Sequence, residues 1–516
     1  MSPKLRAARL DGLALLAGAI FPFAFSPLSV YPLAVLSLTL LFSLWQEISA
    51  KRAAWRGFLF GLGQFSVGVS WLYVALHTYG QMPPVLAGLA LLAFFSYLAC
   101  FPALVGWLQG SFFSPSGIWV RILAIPALWT AGEWLRGWLL TGFPWLVAGY
   151  SQIDGPLAGL APWLGVYGVS LAVAVTAGLV LEVGRNWRGA AKRYVTVLVA
   201  LWIGAWAAGR VSWVKPAGAP LQVALVQGNV PLEQKWVPAF QQSILSRYTD
   251  LTFEQRGVNL VVWPEAAVPL YRDEIEHNFL PQLTRAADAR HMAIIFGILE
   301  RDQVNGETRY YNSVMNVGSQ PGVYRKRHLV PFGEYLPFAR ELNWLLDYLH
   351  IPMSDFSAGP AQQRPLMVDG QSIGMSVCYE DAFGQEILRS LPQATLLANV
   401  TEDAWYGDSF APHQQLEMAR MRALETDRQM VLATNNGVTA IVNNHGRVTA
   451  QAPQFRVWVL TGTVTPLEGA TPYVIYGNRP VLILLAIFFA GPLALRGVRI
   501  LMGWKRNKLK GDTSPF

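Results

Sequence analysis

The stretch Ile373-Gly-Met-Ser-Val-Cys378-Tyr-Glu380-Asp-Ala-Phe383 passes from an apolar, β-rich run directly into a cysteine and an acidic turn. It predicts a buried strand that presents a thiol where the strand ends. A free cysteine in apolar surroundings is more often inert core than a nucleophile. Whether Cys378 is a nucleophile therefore depends on which chemical groups the rest of the chain places beside it.

Two upstream stretches also place a reactive side chain at the end of a β-like run or next to a turn. Val261-Val-Trp-Pro-Glu265 ends a β-like run with a carboxylate, and Tyr324-Arg-Lys326-Arg-His places an amine next to a turn. Alone, such a glutamate is usually a cap or a surface charge, and such a basic run is usually a solvated face. Together, the carboxylate can take the thiol proton of Cys378, the thiolate can attack a carbonyl, and the ammonium can stabilise the oxyanion. The set predicts acyl transfer through a thioester.

A second carboxylate, Glu334, follows Lys326 in Leu329-Val-Pro-Phe-Gly-Glu334-Tyr. This stretch combines apolar packing residues with a turn, unlike a solvated run of charges. We expect Glu334 to orient Lys326 or to balance the charge of the pocket.

The composition indicates a membrane part averaged with a globular part. The 516 residues are 53% hydrophobic and only 14% charged, and 20 of them are tryptophans, values unlike those of one soluble protein. The formal net charge of +8 could suggest nucleic acid, but Lys and Arg cluster in short connections between apolar runs, which is a signal of membrane topology. Nucleic-acid binding is therefore not expected. Cys100 lies inside an apolar run, so no disulfide with Cys378 is expected.

Apolar runs of about 20 residues predict membrane-spanning helices. The candidate spans are 10–26, 28–46, 57–77, 84–108, 119–140, 163–184 and 192–213, with an eighth at 479–501. We expect the first to be an uncleaved helix rather than a signal peptide. The predicted domains are N-terminal transmembrane helices over 1–216, a catalytic domain over 217–475, and a C-terminal transmembrane helix with a basic tail over 476–516.

Basic residues predict the orientation in the membrane. They cluster at the N-terminus, in the second and sixth connections and in the C-terminal tail, whereas the first and third connections have no Lys or Arg. Both termini are therefore expected on the cytoplasmic side. Residues 217–475 are expected outside, in a periplasm or its equivalent.

From Leu221 onward, strands alternate with amphipathic helices, which predicts an α/β domain. The β-like runs are 222–227, 259–263, 293–298, 314–317, 373–377, 396–400, 431–434, 439–442 and 457–464. The helix-like stretches are 239–256, 279–289 and 414–428. The aromatic, apolar stretch 342–356 fits either a core helix or a lid that dips into the membrane and guides acyl chains.

These motifs resemble the nitrilase superfamily, the carbon–nitrogen hydrolases, whose members use a Glu–Lys–Cys triad on an α-β-β-α sandwich. With the surrounding spans, essentially the whole chain resembles the apolipoprotein N-acyltransferase family. The motifs that carry the resemblance are Trp263-Pro-Glu265, Lys326-Arg-His-Leu-Val-Pro-Phe-Gly-Glu-Tyr335, Cys378-Tyr-Glu380, Asp403-Ala-Trp-Tyr-Gly407, Pro412-His-Gln414, Ala419–Glu425 and Thr434-Asn-Asn-Gly437. The implied fold is a polytopic α-helical membrane domain joined to a nitrilase-like α-β-β-α sandwich.

The resemblance implies that Glu265 is the general base, that Lys326 stabilises the oxyanion and that Cys378 accepts the acyl group. The residues implied to support this triad are Glu334, Tyr379, Glu380 and Trp236. For Trp236, packing is a comparable interpretation. The family often has Asn-Asp-Ala-Trp where this chain has Glu402-Asp-Ala-Trp, and the substitution adds an acid near the presumed site.

The resemblance also implies a ping-pong reaction at a bacterial inner membrane, with the catalytic domain on the periplasmic side. A phospholipid, with phosphatidylethanolamine as the first candidate, donates the acyl chain. The α-amino group of the S-diacylglyceryl cysteine of an apolipoprotein accepts it, in the last step of lipoprotein maturation. No cofactor or metal is expected, since the sequence has no cluster of ligands with metal spacing.

Two other interpretations remain open. A membrane-tethered amidase or nitrilase acting on a small amide would use the same triad and let water resolve the thioester. A transporter with an extracellular binding domain would need charges inside the membrane, and Glu133 with Arg136 is the main such pair. Replacing Cys378 by alanine would abolish activity in either enzyme and would leave a transporter unaffected.

Overall fold

The computed structural model describes residues 2–113, 117–318, 320–337 and 355–494. Its N-terminal part is helical, with α1 Pro3–Ile20, α2 Pro32–Leu44, α3 Ala50–Gly68, α4 Pro84–Phe112, α5 Ile125–Arg136, α6 Ala161–Arg185 and α7 Ala191–Ala208. A further apolar helix, Arg479–Ala494, follows the α/β part. Each of the eight predicted spans overlaps one of these helices, and the number of membrane crossings remains a prediction.

Three of the described helical segments are long and apolar enough to cross a membrane: Pro3–Ala24, Pro84–Phe112 and Pro156–Arg185. They differ in how much other parts of the protein cover them. The most apolar window of Pro156–Arg185 is 83% buried, whereas that of Pro84–Phe112 is 33% buried. Helix α6 therefore lies at the centre of the bundle and α4 at its periphery, with an apolar surface suited to lipid.

The α/β part is built on two facing sheets. The first has the strand order β14-β2-β3-β5-β6-β7, with β4 beside β5, and the second has the order β13-β12-β11-β10-β9-β8. The strands of the first sheet are β2 Leu221–Gln227, β3 Leu260–Val262, β4 Val268–Tyr271, β5 Ala293–Val304, β6 Glu307–Val317, β7 Gly322–Arg325 and β14 Trp458–Val464. Those of the second are β8 Leu366–Val368, β9 Gln371–Val377, β10 Leu396–Thr401, β11 Met430–Thr434, β12 Ala440–Val442 and β13 Val448–Gln451. The short strands β1 Val214–Pro216 and β15 Leu467–Gly469 pair separately.

Alternation along the strands explains why the sheets stack. In β2, Val223 and Leu225 pack in the core that also contains the inner faces of the second sheet, whereas Ala224 and Val226 pack in a separate cluster. Because successive side chains of a strand point to opposite faces, each strand serves two apolar layers. The outer layer of the first sheet is covered by α9 Pro238–Phe253 and α11 Phe279–Asp288.

The outer face of the second sheet is covered by the helix Ala411–Thr426, which we call the interface helix. Its other side lies against the membrane helices. Oε1 of Gln414 accepts hydrogen bonds from the indole N–H groups of Trp71 at 3.0 Å and Trp145 at 3.1 Å. Oε1 of Glu425 accepts one from the Val166 N–H at 2.5 Å. The layers are therefore helix, sheet, sheet, helix, and the predicted α-β-β-α sandwich joined to a helical membrane domain is confirmed.

The other helices in the described residues of the α/β part are short: α8 Leu232–Lys235, α10 Arg272–Ile275, Gly384–Leu388 and Pro472–Tyr476. Most of the stretch 342–356 lies outside the described residues, as does the basic C-terminal tail. Of that stretch, Asp355 and Phe356 form bridges with Tyr335 and Tyr310.

Candidate active site

The polar side chains of the site collect where parallel strands of both sheets end. In the first sheet β2 and β3 run parallel, and Glu265 follows β3 by three residues. Lys326 directly follows β7. In the second sheet β9, β10 and β11 run parallel, and Cys378 directly follows β9. Carboxyl ends of parallel strands meet at one edge, where α/β proteins commonly place their sites.

The Cys378 thiol lies where β9 turns into the short 3₁₀ segment Cys378–Ala382. Its φ is +53°, a conformation that a residue other than glycine keeps only when its surroundings hold it there. Nδ2 of Asn399 donates to the Cys378 carbonyl at 2.9 Å, and the Val377 N–H donates to Oε2 of Glu380 at 2.8 Å. These hydrogen bonds fix the backbone on both sides of the thiol, which is buried.

The turn that carries Glu265 lies unusually close to the neighbouring strand. The Gly297 N–H in β5 donates to the Pro264 carbonyl at 3.1 Å. A Cβ atom at Gly297 would lie 2.3 Å from the backbone nitrogen of Ala266 and 2.7 Å from Cα of Glu265. Only glycine leaves room for this approach, so Gly297 determines how deep the carboxylate sits.

The Glu265 carboxylate is held on both oxygens. Oε1 accepts a hydrogen bond from Nδ2 of Asn312 at 2.7 Å and lies 3.7 Å from Nζ of Lys326. Oε2 accepts one from the Glu402 N–H at 2.9 Å. The structure thus brings Glu265 and Lys326 together across the first sheet, and it anchors Glu265 to the second sheet as well.

Lys326 is almost completely buried and lies between two carboxylates. Its Nζ is 2.9 Å from Oε1 of Glu334, which also accepts from Nδ2 of Asn312 at 2.9 Å. Oε2 of Glu334 accepts from the Val330 N–H at 2.8 Å. Glu334 therefore orients Lys326, and Asn312 bridges the two carboxylates that flank it.

Burial and the charge of Lys326 act in opposite directions on the protonation of the thiol and of Glu265. Burial raises the pKa of the Cys378 thiol well above its usual range, the Glu265 charge adds to this, and Lys326 opposes it. Burial also raises the pKa of Glu265, against the opposing effect of Lys326. Burial lowers the pKa of Lys326, but the carboxylates of Glu334 and Glu265 outweigh it and hold that pKa well above its usual range. Burial thus favours the neutral thiol and the neutral carboxyl, and the Lys326 ammonium opposes this effect at both groups.

Tyr379 forms a wall of the site beside Lys326. Nζ of Lys326 lies 5.8 Å from the centre of the Tyr379 ring, within the range of a cation–π contact. The hydroxyl donates to the Leu329 carbonyl at 2.7 Å. The ring also packs edge-on against Phe383. The residue after the thiol thus covers the ammonium and helps to fix the segment that carries it.

Glu380 connects backbone segments and is completely buried. It accepts hydrogen bonds from the N–H groups of Arg327 at 2.8 Å, His328 at 3.0 Å and Val377 at 2.8 Å, and from the Tyr324 hydroxyl at 3.0 Å. Its carboxylate therefore ties the segment that carries Lys326 to the strand that ends at Cys378.

Trp236 is half-buried at the end of α8. Its neighbour Lys235, which the sequence analysis missed, donates from Nζ to the Glu265 carbonyl at 3.0 Å. Asn312 was missed as well. It sits in the middle of β6, and no motif distinguishes it from other polar strand residues. Glu402, predicted to lie near the site, reaches Glu265 through its backbone N–H.

Among the described residues, no group of three or more His, Cys, Asp and Glu side chains is arranged to hold a metal ion. The free cysteines are Cys100, which is exposed, and Cys378. A thiol, a carboxylate and an ammonium between two stacked sheets, joined to an apolar helical bundle, define a membrane-bound protein with a carbon–nitrogen hydrolase fold.

Comparison with known proteins gives the family. The model of the apolipoprotein N-acyltransferase N-terminal domain matches residues 17–179, and the carbon–nitrogen hydrolase model matches residues 222–473. The chain belongs to the apolipoprotein N-acyltransferase family. It is an enzyme of the acyltransferase class, and no observation favours the amidase interpretation.

Several relatives named apolipoprotein N-acyltransferase align over nearly their whole length. The protein from Methylococcus capsulatus is 45% identical over 475 residues, which are 92% of this chain and 94% of the relative. That from Nitrosomonas europaea is 43% identical over 91% of this chain and 94% of its own. That from Azotobacter vinelandii is 45% identical over 94% of each chain.

Proposed function

We propose that the protein moves a fatty acyl chain from a phospholipid to the α-amino group of an S-diacylglyceryl cysteine at the start of an apolipoprotein. Phosphatidylethanolamine is the donor we put forward first. The observation that carries the proposal is the network of Glu265, Asn312, Lys326 and Glu334, whose charged members act electrostatically on the Cys378 thiol. The pattern of basic residues supports a catalytic domain over 217–475 on the periplasmic side of the inner membrane.

In the first half-reaction, Glu265 takes the proton of Cys378 and the thiolate attacks the ester carbonyl of the donor. The carbonyl oxygen becomes an oxyanion, which the Lys326 ammonium stabilises. The tetrahedral intermediate then collapses, the carbon–oxygen ester bond breaks, and the proton on Glu265 passes to the leaving alkoxide. The products are a lysophospholipid and a thioester on Cys378.

In the second half-reaction, the neutral α-amine of the acceptor attacks the thioester carbonyl. Glu265 takes a proton from the attacking nitrogen, the carbon–sulfur bond breaks, and the thiolate is reprotonated by Glu265. The result is an amide on the acceptor and a free thiol. The buried position of the thiol supports transfer of the acyl group to an amine rather than hydrolysis of the thioester, because it limits access for water.

The test is the intact mass of the detergent-purified protein after incubation with phosphatidylethanolamine. We expect a fatty-acyl mass that hydroxylamine removes from the wild type and that is absent from Cys378→Ala. Because Cys100 is a second free thiol, Cys100→Ser is the matched control and should keep the adduct. Absence of an adduct on folded wild-type protein, or an adduct that persists in Cys378→Ala, would overturn the proposal.

A further inference from the structure

Lys235 and Glu402 form a buried ion pair directly behind Glu265. Nζ of Lys235 lies 2.5 Å from Oε2 of Glu402, and the two side chains are 2% and 6% exposed. Removing two charges from water is unfavourable, and an apolar pair of similar size commonly packs at least as well. Packing alone therefore does not account for charges at this place.

The pair holds Glu265 at two points. Nζ of Lys235 donates to the Glu265 carbonyl at 3.0 Å. The Glu402 N–H donates to Oε2 of the Glu265 carboxylate at 2.9 Å. One partner thus fixes the backbone of this residue and the other fixes its reactive group.

The pair also joins the two sheets. Lys235 ends α8, which follows β2 of the first sheet, and Glu402 directly follows β10 of the second. Oε1 of Glu402 accepts a hydrogen bond from Nδ2 of Asn435 at 3.0 Å. Asn435 in turn exchanges hydrogen bonds with the backbone of Val230, at 2.9 Å and 2.8 Å. The pair therefore links the segment of Glu265 in the first sheet to β10 of the second sheet, which lies beside the strand that Cys378 follows.

We propose that Lys235 and Glu402 are positioning residues for the acyl transfer. The pair holds the Glu265 carboxylate towards the second sheet, and its two opposite charges leave no net charge beside that carboxylate. This role rests on the proposed function of Glu265 as the base. Each partner then has a role, because the Glu402 carboxylate neutralises the Lys235 ammonium and the ammonium holds that carboxylate in place.

Several charged or titratable groups face Glu265 from the surrounding elements. They are Lys326 after β7, Glu334 in the following loop, Cys378 after β9, Asp403 and Tyr406 after β10, and the pair itself. Single variants of the pair leave the identity of all the other groups unchanged. A change in the protonation of the site therefore reports the one charge that was removed.

The two single variants are expected to act in opposite directions. Glu402→Gln keeps the backbone N–H on Glu265 but leaves the Lys235 cation uncompensated, which favours the ionised forms of Glu265 and Cys378. Lys235→Met leaves the Glu402 anion uncompensated, which disfavours them. Because each variant removes one charge at a buried site, each should move the pH midpoint of thiol reactivity by about one unit, downward for Glu402→Gln and upward for Lys235→Met.

The double variant Lys235→Met with Glu402→Gln removes both charges and should return the midpoint close to that of the wild type. It also avoids an unpaired buried charge, so it should fold even where a single variant is unstable. The control is Glu468→Gln, since the Lys215–Glu468 pair is exposed, with side chains 77% and 52% accessible. This control should leave the midpoint unchanged.

The experiment measures the rate of alkylation of Cys378 by iodoacetamide at fixed pH values from 7 to 11, on the full chain in detergent and in a Cys100→Ser background. Below the midpoint, a shift of one unit changes the rate at any fixed pH about tenfold, so the shift is measured even where the midpoint lies above this range. Alkylation needs no lipid, so failure of the proposed acyl donor and failure of the pair's role are separate results. Opposite shifts in the single variants with recovery in the double variant support the role. Unchanged midpoints, or shifts of the same sign in both single variants, would show that the pair only supports packing.

Discussion

Asn312 donates through one amide group to both carboxylates that flank Lys326. Its Nδ2 lies 2.7 Å from Oε1 of Glu265 and 2.9 Å from Oε1 of Glu334. Two carboxylates around one ammonium leave an excess of negative charge, and the amide dipole partly offsets it without adding a titrating group. The residue therefore keeps Glu265 oriented, and its hydrogen bond opposes the rise in the pKa of Glu265 that burial causes.

Asn312→Ala should slow thioester formation. A hydrogen bond to a charged group contributes about 1.5–3 kcal/mol, which corresponds to a loss of roughly 10- to 100-fold in rate. The measurement is the single-turnover rate of acyl adduct formation with phosphatidylethanolamine. The matched control is Asn316→Ala on the same strand, because Asn316 donates to the carbonyls of Gln320 and Met367 instead. Equal losses in the two variants would contradict a specific role for Asn312.

At the level of single residues, the sequence revealed the members of the site that stand in motifs. Glu265 and Cys378 each follow a strand that the sequence predicts, and Lys326 stands next to a predicted turn, although the strand β7 before it was not predicted. Asn312 lies inside a strand and Lys235 ends a short helix, and neither position has a local pattern. Their importance depends on contacts between segments far apart in the chain, which no periodicity encodes.

The turn after β3 is the element that places the Glu265 carboxylate, and its depth is limited by Gly297 in the neighbouring strand. The atoms that a Cβ at Gly297 would meet belong to the backbone of Pro264, Glu265 and Ala266. Backbone cannot rotate away as a side chain can. A methyl group there must therefore move the whole turn, and with it the proposed base.

Gly297→Ala is accordingly expected to lower the rate of thioester formation by more than tenfold, since an error of about 1 Å in the position of a reacting group can cost about 100-fold. The matched control is Gly462→Ala in β14, where the added Cβ would meet only the end of the Ile441 side chain, at 2.5 Å. Adduct formation by intact mass gives both rates. A Gly297→Ala protein as fast as Gly462→Ala would show that the turn tolerates displacement.

The strands that could be predicted from the sequence are those with apolar, buried residues. The predicted run 314–317 is only the buried end of β6, which extends from Glu307 to Val317. Its first four residues, from Glu307 to Tyr310, are mostly polar and pair with β5 in a hairpin that projects from the core. Alternating apolar residues signal a strand only where one face is buried, so this projecting part had no signal in the sequence.

The two halves of the whole molecule share one continuous core. A single cluster of buried apolar side chains contains Phe60 and Val169 from the membrane helices together with Cys378 and Met421 from the α/β part. The polar contacts between the interface helix and the membrane helices lie within this core. The site is therefore built against the membrane helices, which suits a reaction whose substrates are both anchored in the bilayer.

Gln414 is the best place to test whether that contact stabilises the whole molecule. Oε1 accepts from the indole N–H groups of Trp71 and Trp145, and Nε2 donates to the Gly68 carbonyl at 3.0 Å. Gln414→Leu would leave two buried indole donors unpaired, at about 1–3 kcal/mol each, so we expect a loss of about 2–6 kcal/mol in unfolding free energy.

The measurement is the midpoint of thermal unfolding in detergent, together with protection of the 209–221 connection from protease. The matched control is Gln241→Leu in α9, whose amide contacts only the Pro269 carbonyl within the α/β part. We expect Gln414→Leu to unfold at a lower temperature and to be cleaved faster between the two halves, because the contacts it removes cross between them. If both leucine variants unfolded like the wild type, the shared apolar core alone would be sufficient to hold the catalytic domain on the membrane helices.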